Sequence, residues 1–114
     1  MASLPYTPLF RAGDWCCISG QIGIDDDGLV DGFDGQLAQI FSNLDRLLGE
    51  HGVRKEQIAK TTVFVVDMAD YARMNELYAA YFGDHRPARS AVAVAELPFG
   101  ARVEIEAWLH DPAS

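Results

Sequence analysis

The run from Ile58 to Val66 is β-branched and apolar on both faces, and it constrains the fold more than any other segment. A strand of that kind belongs in the middle of a sheet covered on both sides. The flanking sequence supplies two helices. Over Asp34 to His51, apolar residues recur at Leu37, Ile40, Phe41, Leu44, Leu47 and Leu48, one continuous helical face. Asp34 stands where it can cap the start, and Gly52 where it can end the helix. A second helix is predicted from Asp70, another capping residue. Its buried stripe is Tyr71, Met74, Leu77, Tyr78, Tyr81 and Phe82, and Gly83 and Pro87 close it. Two helices cover one face of a mixed sheet. One chain has nothing left for the other face, so oligomerisation is expected.

The remaining strands follow from alternation and punctuation. Met1 to Ala12 reads as an irregular or edge segment broken by Pro5 and Pro8, and Asp14 to Ile22 as a strand. Asp25-Asp26-Asp27-Gly28 is a turn whose spacing does not match a calcium loop. Two late strands, Arg89 to Glu96 and Ala101 to Leu109, are separated by a turn holding Pro98 and Gly100. In the last strand Val103, Ile105, Ala107 and Leu109 face one way, and Arg102, Glu104, Glu106 and Trp108 the other. A tryptophan on the polar side suggests contact with another subunit.

Bulk properties narrow the function. A chain of 114 residues is read as a single domain, 1–114, able to bury a core without staples. Its nine basic and seventeen acidic residues give a formal net charge of −8, and the cations are scattered. Nucleic acid and anionic membrane surfaces are therefore disfavoured as partners. Cys16 and Cys17 are adjacent, so on a strand they point to opposite faces and read as two small buried hydrophobes of a reducing compartment. No signal peptide is visible and no apolar run reaches the ~18 residues of a membrane span, which points to the cytoplasm. His51, His85 and His110 lack metal-site spacing and read as surface residues; no metal is expected.

Arg89, in Pro87-Ala88-Arg89-Ser90, opens a strand of small apolar residues. A guanidinium there presents a planar fork that matches a carboxylate, and at a buried edge it needs a partner. That partner is either a protein carboxylate such as Glu104 or Glu106, or a ligand. Tyr6, Ser19-Gly20-Gln21 and Asn75 complete the positions that stand out.

These pieces, with Lys60-Thr61-Thr62-Val63-Phe64-Val65, Asp67-Met68, the run Asn75-x-x-Tyr78-x-x-Tyr81-Phe82, and Leu97-Pro98 before Val103-Glu104-Ile105-Glu106, resemble the RidA (YjgF-type) family of enamine and imine deaminases from Tyr6 to about Leu109. The resemblance implies an α+β, chorismate-mutase-like fold with two helices on one face of a mixed sheet. It also implies a homotrimer whose sheets form a central barrel, with sites in clefts between subunits. The implied activity is hydrolysis of 2-enamino and 2-imino acids, such as 2-aminoacrylate, to 2-keto acids and ammonia without a cofactor. Arg89 would grip the substrate carboxylate and Glu104 would hold or activate water. Ser19 or Tyr6 would relay a proton, and Gly20, Asn75, Tyr71 and Ala91 would line the cleft. Ala91 departs from the family pattern, in which many members carry Cys, and the link from Phe82 to Pro87 is short. The competing readings are a non-catalytic trimer that binds a 2-keto acid, and a pathway deaminase for a larger enamine. A ribonuclease is disfavoured by the charge.

Overall fold

A computed structural model describes residues 4–112 of the chain. The amino-terminal segment, read as irregular or edge, ends in a short strand, β1 (Leu9–Ala12), which pairs antiparallel with β2 (Trp15–Gln21); its first three residues lie outside the described range. The acidic turn joins two short strands, β3 (Ile24–Asp25) and β4 (Gly28–Leu29), as a separate hairpin. The helix α1 (Phe33–Glu50) leads to β5 (Ile58–Val65), and α2 (Tyr71–Phe82) crosses from β5 to the parallel strand β6 (Ala88–Ala93). The chain returns through a short 3-10 turn, Pro98–Gly100, into β7 (Val103–His110).

The main sheet has the order β1-β2-β7-β5-β6. Only β5 and β6 run parallel, so the sheet is mixed, and β5 lies inside it between β7 and β6. Both helices pack on one face. Cys16, Ile18, Ile58, Val63, Val65, Val103, Ile105, Ala107 and Leu109 from the strands meet Leu37, Ile40, Leu44, Met74 and Phe82 from the helices in one buried core. Strand alternation sends the intervening residues to the opposite face. That face carries Phe10, Trp15, Val92 and Trp108, all exposed and large, together with Glu104 and Glu106.

Several local expectations are corrected. Asp34 does not cap α1: the cap position is Gly32, at φ 78, and no side chain caps it. Asp34 sits in the first turn, where its charge suits the helix dipole, and accepts hydrogen bonds from Arg73 at 2.9 and 3.0 Å. Asp70 occupies the cap position of α2 without capping it, because its carboxylate is taken by Arg102 at 2.9 Å. The Asx contact lies one turn earlier, where Ala69 N–H donates to Asp67 at 2.9 Å. Cys16 is buried but Cys17, on the opposite face, is only half-buried. The strand expected from Arg89 to Glu96 ends at Ala93. Tyr71 leaves the buried stripe and is exposed, and His85 is half-buried with its Nε2 2.7 Å from the Ile58 carbonyl.

Two buried polar side chains of α1 hold the sheet ends in place. Asn43 Nδ2 donates to the carbonyls of Ile22 at 3.3 Å and Ile24 at 3.0 Å. Gln36 Oε1 accepts from the Arg102 N–H at 2.8 Å. A Cβ at Gly23 would come within 2.8 Å or less of Gln36, so glycine lets this strand end lie directly on the helix. These contacts set where β2 ends and where β7 begins, and the site is built between those points.

Candidate active site

The sequence-selected residues form two groups on opposite sides of the sheet. On the open face, Ser19 and Gly20 at the end of β2 and Glu104 on β7 join Tyr6 in a cleft of about 350 Å³, completed by Ile22, Ile24, Pro98 and Phe99. A β-bulge between Ile18 and Gln21 shifts the register where these strands meet, and such irregularities re-aim side chains beside functional sites. Gly20 leaves room for the Glu104 carboxylate, which a Cβ there would displace from its present position. The Ser19 hydroxyl donates to the Thr7 carbonyl at 2.7 Å, and the Ser19 N–H donates to the Pro8 carbonyl at 2.9 Å. These two bonds fasten the segment carrying Tyr6 over the cleft.

Glu104 has no cationic partner among the described residues. Burial raises its pKa above the ordinary glutamate value, and the nearby Glu106 charge adds to the shift. Both causes disfavour the carboxylate form. A carboxylate in that condition is a stronger base than a solvated one and gains by accepting a proton from water.

The second group lies on the helix-covered face. Arg89 is paired across β5 with Thr61, one of the residues facing the helices. Its guanidinium donates to the Tyr71 hydroxyl at 3.2 Å and contacts Met74 Sδ at 3.5 Å. It lies over the Tyr78 ring, 5.0 Å from the centroid, and 5.6 Å from that of Tyr71. Tyr78 is fixed in turn by a 2.6 Å hydrogen bond to Thr61. Burial raises the Tyr78 pKa, while the Thr61 bond and the Arg89 charge oppose the rise. Aromatic faces attract the cation but leave its charge uncompensated. Among the described residues no carboxylate pairs with Arg89, neither Glu104 nor Glu106.

Asn75, Tyr78, Ala79, Arg86, Pro87 and Arg89 enclose a second cleft of about 390 Å³. The Asn75 Oδ1 is buried without a hydrogen-bond donor, a condition proteins rarely leave uncompensated. Ala91 is two residues beyond Arg89 on the same face, packed against the core and outside the residues that enclose this cleft. Tyr78 and Phe99 join the site without having been singled out for it. Tyr78 was legible as part of the buried stripe of α2 and of the run Asn75-x-x-Tyr78-x-x-Tyr81-Phe82, without a role in the site. The signal for Phe99 was an aromatic residue set between Pro98 and Gly100 in a turn.

Residues 1–110 match the family described as Endoribonuclease L-PSP. The chain belongs to the RidA family. Its relatives include a RutC family protein of Aquifex aeolicus, 43% identical over 106 residues, covering 90% of this chain and 85% of that one. The 2-iminobutanoate/2-iminopropanoate deaminase of Mus musculus is 39% identical over 106 residues, covering 90% of this chain and 78% of its own length. The crystal structure of RidA from an Antarctic Psychrobacter superposes with a TM-score of 0.90 at 36% identity, covering 96% of this chain and 91% of that one. The RidA fold, two helices and a mixed sheet, is thus the fold of this chain. Among its described residues no cluster of His, Cys, Asp and Glu could hold a metal ion, and no helix is long and apolar enough to cross a membrane.

Proposed function

We propose that the protein is a homotrimer that hydrolyses 2-enamino and 2-imino acids to 2-keto acids and ammonia in clefts between subunits. The observation that carries this reading is the separation of an uncompensated cation, Arg89, from an uncompensated carboxylate, Glu104, by the sheet itself. Neither cleft holds both groups. A second copy that brings its Glu104 cleft to the Arg89 cleft of the first completes both at once. The exposed apolar face around Trp108, Trp15 and Phe10 supplies the contact surface, and three such faces closing on one another make a central barrel. The mouse relative's name supports the chemistry, since a deaminase of 2-imino acids must hold a carboxylate beside a reactive carbon.

In the reaction, the substrate carboxylate lies in the Arg89 fork, and Asn75 lines the cleft beside it. An enamine first takes a proton at its terminal carbon, relayed by Tyr6 or water, and becomes the protonated imine. Glu104 draws a proton from water as the water oxygen bonds to the imine carbon. Glu104 returns that proton to the carbinolamine nitrogen, which leaves as ammonia, and the carbonyl of the 2-keto acid forms as the hydroxyl proton passes to water. Ser19 already donates to Thr7, so its free role is to accept, orienting the water. Tyr71 braces Arg89, and Gly20 leaves Glu104 its place. No step calls for a metal or an organic cofactor; fixing the reactants is the main contribution. Two free cysteines fit a reducing compartment, and the cytoplasm is the proposed location.

The test is hydrolysis of 2-iminopropanoate generated in situ, with semicarbazide trapping the imine that remains. The wild-type protein lowers semicarbazone formation and Arg89→Ala does not. Tight binding of a 2-keto acid with no turnover of any imine would instead establish a binding trimer.

A further inference from the structure

Among the described residues, Phe99 is the one non-glycine residue with positive φ, at φ 60 and ψ 16. That region is costly for a bulky side chain, and such strain concentrates where a site needs it. Phe99 is also the most exposed of the large apolar residues, at 80%. Within one protomer the ring gains little from burial, so packing inside the chain does not offset the strain. Gly100, the next residue, also has positive φ, at 74.

The location supplies the reason. Phe99 lines the cleft that holds Glu104, and Tyr6, Ile22, Ile24 and Pro98 make the rest of its apolar wall. Only Ser19, Gly20 and Glu104 are otherwise present. The part of the site that one protomer supplies here measures about 350 Å³, already within the range of pockets that take ligands well beyond the size of pyruvate. A three-carbon imino acid presents little apolar surface to such a wall. A branched or aromatic side chain at the imine carbon would cover Ile22, Ile24 and the Phe99 ring while its imine carbon stays beside Glu104.

Resting on the deaminase reading above, we propose that Phe99 is a specificity-determining residue and that the Glu104 cleft takes 2-imino acids with bulky apolar side chains. The turn holds the ring at the rim, so the substrate side chain is buried by a group already in position. One methylene in an apolar pocket changes discrimination by about tenfold or more. The leucine-derived imine is therefore favoured over the alanine-derived one by at least about tenfold in kcat/KM.

The experiment compares these two imines as substrates, and their keto acids, 4-methyl-2-oxopentanoate and pyruvate, as ligands in calorimetry, using the full chain in its native assembly. Phe99→Asn keeps a residue tolerant of the left-handed backbone and removes the ring; Phe99→Ala removes the ring without that tolerance. The expected result is a clear wild-type preference for the larger member of each pair that falls to within about twofold of unity in Phe99→Asn. A preference unchanged in Phe99→Asn, or a wild type that favours the small members, overturns the proposal. If neither imine is hydrolysed, the deaminase reading fails, and the keto-acid binding ratio alone decides the role of Phe99.

Discussion

Arg89 and Glu104 occupy opposite faces of one sheet: Arg89 is in register with Thr61 on the helix side of β5, and Glu104 with Phe64 on the open side. Each is charged, and neither has an oppositely charged partner among the described residues. Within one protomer they do not share a cleft, so a site using both is shared between protomers.

Replacing the anchor tests the carboxylate fork. Arg89→Ala is expected to lower kcat/KM for an imino acid by about a hundredfold or more, the cost of leaving a bound charge unpaired. Arg89→Lys should recover little of it, because an ammonium lacks the planar two-point geometry. Steady-state kinetics with semicarbazide trapping reads both.

Glu104→Gln separates activity from stability. Activity should fall by about 10²–10⁴-fold, the usual worth of a general base. Thermal stability at neutral pH should hold or rise, because burial and Glu106 penalise the carboxylate that the amide replaces. A large fall in melting temperature would contradict this.

The same shift sets a pH dependence. The acid limb of kcat/KM should lie above the ordinary glutamate range, since Glu104 must be ionised to act as base and its pKa is raised. For stability the sign is opposite. The folded state keeps the Glu104 proton where the unfolded chain has released it. Its favourable contribution is complete below the unfolded pKa and is lost as pH rises through the folded one. Denaturation followed across that window should show this loss in the wild type and not in Glu104→Gln.

Gly20→Ala is expected to fold and to lose most turnover, because its methyl group takes the space of the Glu104 carboxylate. Circular dichroism with kinetics distinguishes this from general destabilisation. Asn43→Ala should behave differently. It strips the donor from the carbonyls of Ile22 and Ile24 and should cost about 1–3 kcal/mol of stability, with a smaller loss of activity from the loosened cleft wall.

Much of the fold was legible because it rests on periodicity. The apolar face of α1, the two-sided strand β5 and the alternation of β7 each follow from one local pattern. The helix starts were legible to within a residue, at Phe33 and Tyr71, but the capping bonds were not. Asp34 falls inside the first turn and pairs with Arg73, and Asp70 holds the cap position with its carboxylate drawn to Arg102, both arginines distant in sequence. A tertiary ion pair leaves no trace in local sequence. The candidate site divides the same way. Arg89 and Glu104 stand out as residue types, whereas the Tyr78 ring beneath Arg89, the close approach of Gly20 to the Glu104 carboxylate and the strained Phe99 come from packing and backbone geometry.

The most direct measurement mixes the two inactive variants. Arg89→Ala and Glu104→Gln chains are unfolded together, refolded in equal amounts and assayed on an imino acid. If each site takes Arg89 from one subunit and Glu104 from its neighbour, random assembly restores about one quarter of the sites. Activity should then approach about one quarter of wild type, although neither variant acts alone. A refolded mixture no more active than its components would contradict a shared site, and with it the account given for both residues.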